Sequence, residues 1–150
     1  MRAYLVVIDE TGEARVALRY AARRASRTGG TVEILAVVPK AEFVEWGGVQ
    51  AAMEEEAKLR AEAMVLQAAG AIVEEAGIQP RILVREGDTT KAIADLLRER
   101  DDFAALVLGA AEGGPGPLVS HFSGAVAGSL SCPVVIVPGS LSDEALDRLA

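Results

Sequence analysis

The sequence predicts an α/β fold: an open parallel sheet of five strands with helices on both faces. Three observations carry that expectation. Short runs rich in Val, Ile and Leu recur along the chain, helical patterns separate them, and several runs are continuous rather than alternating, as strands covered on both faces require. Strands that alternate with helices through short connections and right-handed crossovers form a parallel sheet, expected here in the order 3-2-1-4-5.

The first apolar run, Tyr4–Ile8, ends at Asp9, and a helical pattern follows at once. Ala14, Ala17, Leu18, Ala21, Ala22 and Ala25 recur as one stripe that stops at Gly29-Gly30. The second run, Val32–Val38, leads into a connection holding Trp46, whose indole either anchors the loop or covers a ligand cleft. A long helix is then expected from about Val49 to Ala76, with Met53, Ala57, Ala61, Met64, Val65, Ala68 and Ile72 on its inner face. On its outer side Glu54 and Lys58, and Glu56 and Arg60, have the spacing of ion pairs on a solvated face. After Ile82–Val84, Asp88-Thr89-Thr90 caps a third helix through Ile93, Leu96 and Leu97. Phe103–Leu108 is the fourth run, Phe122, Val126 and Leu130 trace a fourth helix, and Val134–Val137 completes the sheet.

At 150 residues the chain reads as one domain, residues 1–150, able to bury about two thirds of the surface its unfolded form exposes. The lone Cys132 excludes an internal disulfide and, set among apolar residues, reads as a small buried hydrophobe. A net charge of −7 argues against nucleic acid and against anionic membrane surfaces, both of which need a basic footprint. Met1-Arg2-Ala3-Tyr4 runs straight into an apolar strand without a signal-peptide pattern, so a cytoplasmic location is expected.

The chemistry is concentrated in Leu106-Val-Leu-Gly109-Ala-Ala-Glu-Gly113-Gly114-Pro-Gly116-Pro and the residues through Gly124-Ala125. Strand, glycine-rich loop and small-residue helix, in that order, make an anion cradle: glycine lets a ligand approach the backbone, and free N–H groups face phosphate. Neither G-x-x-x-x-G-K-[ST] nor G-x-G-x-x-G occurs, which argues against a P-loop ATPase or a dinucleotide fold of the usual kind. The same glycines would also serve as a tight strand-to-helix connection stiffened by Pro115 and Pro117.

Three segments in order resemble the universal stress protein family over nearly the whole chain. They are Leu5-Val-Val-Ile-Asp9-Glu-Thr11, Arg85-Glu-Gly87-Asp88, and Val107-Leu-Gly109 through Gly124 followed by Cys132-Pro133-Val-Val-Ile-Val137. The resemblance implies an adenine nucleotide alpha hydrolase-like fold, a role in stress response, and an adenine nucleotide site for ATP, with or without magnesium. Carried over by position, Asp9 faces the adenine or ribose, Val38 lines the adenine pocket, and Gly109, Gly114, Gly116, Gly124 and Ala125 belong to the phosphate loop. Asp9 reads equally as an anion capping the first helix, and Val38 as sheet core.

The chain departs from the family's nucleotide motif of Gly, two residues, Gly, nine residues, Gly and a hydroxyl residue. Four residues separate Gly109 from Gly114, and Ala125 and Ala127 stand where hydroxyls meet phosphate in relatives. Each lost hydrogen bond to a charged group is worth about 1.5–3 kcal/mol.

His121 beside Ser120 and Ser123 is a conceivable dyad, but neighbours in sequence at a helix start rarely orient for proton transfer, and no third member is evident. No residues have metal-ligand spacing. The expectation is therefore a non-enzymatic stress-response domain that binds ATP, with two alternatives. One is a dimeric interaction protein of the same fold that has lost its nucleotide; the other is a nucleotide hydrolase, which lacks a base and a cation in the loop. Relatives pair through the last strand, and Pro133–Pro138 is an apolar edge that needs cover, so a homodimer through it is expected, with the tail Ser140–Ala150 as a short helix over it.

Overall fold

The apolar runs become strands, and the three central ones are buried from both sides. In a computed structural model that describes residues 2–40 and 47–150, β1 is Ala3–Val7, β2 Thr31–Val38, β3 Arg81–Glu86, β4 Phe103–Ala110 and β5 Val134–Pro138. All pair in parallel in the order β3-β2-β1-β4-β5, with Val6 level with Ile34 on one side and Val107 on the other. Alternate residues serve opposite cores. Val6, Ile34, Ala36 and Val107 point to one, while Leu5, Val7, Leu35 and Leu106 point to the other.

Three helices cover the first face: α1 (Gly12–Thr28), α2 (Gly47–Ala76) and, from the tail, α5 (Asp143–Leu149). The second face is covered by α3 (Thr89–Glu99) and α4 (Pro117–Phe122). The alanine stripe of α1 is fully buried, and side chains this small let the helix lie close to the sheet. Thr11, Asp88 and Ser142 cap α1, α3 and α5, accepting from Ala14 N (3.3 Å), Lys91 N (3.0 Å) and Ala145 N (3.1 Å).

Three expectations need correction. The fourth helix is not continuous: α4 ends at Phe122, and after a turn only a single 3-10 turn, Ala127–Ser129, follows before β5. Gly124, Gly128, Ser129 and Ser131 supply little helix propensity in the short stretch before Pro133. Met53, expected inside, is exposed like the other described side chains from Val49 through Glu56, because the inner face of α2 meets the core only from Ala57 onward. The tail, expected over the β5 edge, is tied to α1. Arg19 and Arg23 hold Asp147 at 2.9 and 3.0 Å, and Arg27 donates to the carbonyl oxygens of Asp147 and Ala150. Trp46 lies outside the described residues.

At the amino-terminal ends of the strands Glu33, 2% exposed, accepts from Arg81 (2.9 Å) and Arg100 (2.6 Å), and both arginines also reach Asp102. The Arg100 guanidinium stacks over Phe103 at 4.6 Å. This network lies at the opposite ends of the strands from Asp9 and the glycine loop.

Candidate functional site

β1 sits between β2 and β4, and the chain leaves the two central strands toward opposite faces: β1 runs into α1 on the first, β4 into α4 on the second. In open parallel sheets such divergence, beyond the carboxyl ends of the strands, is where ligands bind. Asp9 follows β1 there, Val38 ends β2, and the connection 111–116 follows β4.

Asp9 is exposed, and its Oδ1 accepts from the Thr11 amide (2.9 Å) and hydroxyl (2.5 Å). The carboxylate thereby fixes the turn in which Thr11 caps α1, and among the described residues Oδ2 has no hydrogen-bond donor. The capping role read from the sequence thus falls to Thr11, with Asp9 bracing it. Val38 is 4% exposed, its side chain is in the core beneath α1 and α2, and its carbonyl accepts from Gly87 N at 2.9 Å.

Gly109 touches another segment closely: a Cβ built there would lie 2.0 Å from the Glu13 carbonyl oxygen. Glycine is demanded at this point by the first turn of α1 lying against β4. Further on, Gly114 and Gly116 lie in the loop, Gly114 exposed and Gly116 half-buried, and Gly116 (φ 85°) precedes α4 in a conformation that side chains rarely adopt. Gly124 and Ala125 are exposed in the turn after α4, with Gly124 N on the His121 carbonyl at 3.4 Å. The structure therefore gathers Asp9, Gly109 and the loop along one sheet edge and leaves Gly124 and Ala125 past the end of α4 rather than at a helix start.

An open cleft of about 650 Å³ adjoins Asp9 between α1 and α2. Asp9, Thr11, Arg15, Arg19, Gln67 and Glu75 are among its walls, and none of the loop glycines is. Arg15 and Arg19, four apart on α1, put positive charge in the cleft wall among the carboxylates of Glu10, Glu75 and Asp143. Sequence reasoning missed this wall; its signal was the arginine spacing on the polar side of the alanine stripe. Arg19 is committed to Glu75 at 3.2 Å as well as to Asp147.

His121 packs edge-on against Phe122, their ring centroids 4.8 Å apart, while Ser123 Oγ donates to the Val119 carbonyl at 2.6 Å. Neither arrangement pairs a nucleophile with a base. Asp88, at the start of α3, is held below the ordinary carboxylate range by the Thr90 hydroxyl and the Lys91 amide, with the His121 ring also near enough to contribute. Among the described residues no cluster of three or more His, Cys, Asp or Glu could hold a metal, and no helix is long and apolar enough to cross a membrane.

The sequence pattern of the universal stress protein family matches residues 1–138. No curated protein sequence matches the chain. Among solved structures, the universal stress protein UspA from Lactobacillus plantarum superposes with a TM-score of 0.76 at 18% identity, over 91% of this chain and 97% of that one. A universal stress protein from Archaeoglobus fulgidus in complex with dAMP gives 0.61 at 16% identity, over 91% and 97%. A universal stress protein in complex with cAMP gives 0.61 at 16%, over 93% and 98%.

Proposed function

The chain belongs to the universal stress protein family, and from that premise we propose that it binds an adenine nucleotide, without chemistry, in the crevice between β1 and β4. The observation that carries this reading is the glycine-rich connection 111–116 on the same sheet edge as Asp9, at the point where the chain departs to opposite faces. Solved relatives of the same fold in complex with dAMP and cAMP support the ligand class.

The nucleoside end carries the affinity in this account. Asp9 Oδ2 accepts from a ribose hydroxyl or the adenine amine, and loop amides meet phosphate. Between Gly109 and Ala125 there is no Lys or Arg, and Ala125 and Ala127 offer no hydroxyl. Extra phosphates therefore add little: AMP, ADP and ATP bind within about tenfold of one another, and magnesium changes that order little.

The assembly in this reading is a homodimer through β5, in a cytoplasmic setting. β5 ends the sheet with Val134–Pro138 uncharged and Ile136 41% exposed, whereas the opposite edge, β3, carries Arg81, Arg85 and Glu86. Charged edges resist pairing and apolar ones invite it. Ile136→Glu, at an exposed position, leaves the fold intact and gives monomer by light scattering of a dilute sample; an unchanged dimer in that sample removes this edge as the interface.

One observation favours a second reading. The break after Phe122 leaves Gly124 and Ala125 outside any helix, which favours a domain that has lost its nucleotide and works by partner contact. Native mass spectrometry separates the two. Adducts of AMP, ADP or ATP, retained from purification or formed on incubation, support the nucleotide reading, and a bare chain at millimolar nucleotide supports the second.

A further inference from the structure

Helix α2 has two apolar faces. Ala61, Val65 and Ile72 turn inward and are buried, with Ala57, Met64 and Ala68 beside them. The opposite side carries Ala52, Leu59, Ala63, Leu66, Gly70 and Val73, all exposed, with Leu59 at 55%, Leu66 at 60% and Val73 at 42%. A helix on a protein surface normally shows water a polar face.

The outer residues follow a pattern. From Leu59 onward the steps alternate four and three, which is the spacing of a coiled-coil seam. Large residues (Leu59, Leu66, Val73) occupy one seam position, and small ones (Ala63, Gly70) the other. Such a seam is complementary to itself when two copies lie antiparallel. With the two-fold axis passing near Gln67 and Ala68, Leu66 of each copy meets Gly70 of the other, and Val73 meets Ala63, so these two large side chains fill small-residue gaps, while Leu59 comes level with Gly77 just past the helix end. A parallel pairing instead stacks Leu66 on Leu66 and Gly70 on Gly70, alternating crowding with voids.

The flanking charges agree with the antiparallel register. It brings Arg60 of each copy beside Glu74 of the other, twice over, and among the described residues neither has an ion-pair partner within the chain. We infer that the outer face of α2 is a second self-association surface, occupied by α2 of another copy in antiparallel packing. In that register the two helices overlap from residue 60 to residue 76, about 24 Å. A two-helix contact of that length gives a reversible, concentration-dependent association.

Sedimentation velocity over a concentration series tests this in the Ile136→Glu background, where the β5 edge is blocked, so that failure of the edge dimer and failure of the α2 contact are read separately. The Ile136→Glu chain is expected to dimerise with rising concentration. Gly70→Leu raises helix propensity and so preserves the fold, yet closes the gap that receives Leu66; it weakens association by about tenfold or more. Arg60→Glu weakens it by about tenfold, and Arg60→Glu with Glu74→Arg restores it. A chain that stays monomeric in the Ile136→Glu background, or associates equally well with Gly70→Leu, overturns the inference; so does failure of the charge swap to restore pairing.

Discussion

The Glu13 carbonyl oxygen rests against the Cα of Gly109, in a space with no room for a side chain: a Cβ would begin 2.0 Å away. The contact joins the first turn of α1 to the end of β4, next to the turn that holds Asp9. Gly109→Ala forces the two backbones apart. It lowers stability by about 2–3 kcal/mol and Tm by about 5–10 °C, measured by thermal denaturation. A wild-type Tm would show that this approach is not rigid.

Glu33 is nearly enclosed between Arg81 and Arg100, so its carboxylate is satisfied only while both guanidiniums stay. Glu33→Gln keeps the shape and removes the charge. Because the arginines are partly exposed and also share Asp102, the cost is about 1–3 kcal/mol in a urea titration, less than a fully buried pair would show.

Acid should loosen two joints. Hydrogen bonds from Arg100 and then Arg81 hold Asp102 below the usual carboxylate value of 3.8, and Arg19 with Arg23 does the same for Asp147. A carboxyl that binds its proton less readily when folded stabilises the protein above its unfolded pKa, and that contribution fades as pH falls below 3.8 toward the folded value. The urea midpoint therefore drops as pH falls from about 5 through 3.8 and below. Arg19→Gln shrinks the drop by releasing Asp147; an equal drop in that variant would mean that the tail joint carries no acid sensitivity.

Gly116 (φ 85°) sets the direction from which the loop enters α4. Gly116→Ala costs about 1–2 kcal/mol and, in the nucleotide account, weakens nucleotide binding as well, because the loop amides re-aim. Loss of stability with unchanged affinity would remove this part of the loop from the site.

The sheet and its order were readable because continuous apolar runs, punctuated by Gly, Pro and Asp, leave little choice in a chain of alternating strands and helices. Asp9, Gly109 and the loop glycines 114 and 116 fell on one edge for the same reason, whereas Gly124 did not. Two things were hidden. Phe122, Val126 and Leu130 keep helical spacing, but Gly124 and Gly128 break the backbone between them, so periodicity outlived the helix. On α2, the i,i+4 spacing of Glu54 and Lys58, and of Glu56 and Arg60, suggested a solvated face and masked the apolar seam Leu59, Leu66 and Val73, which becomes visible only once the inner face is known.

The central claim is nucleotide binding at the edge that holds Asp9 and the glycine loop, and calorimetric titration of AMP, ADP and ATP, with and without magnesium, tests it most directly. The account predicts saturable micromolar binding of all three within about tenfold, lost in Asp9→Ala while that variant stays folded by circular dichroism. Heat no greater than dilution up to millimolar nucleotide, from a chain that is folded, would contradict it.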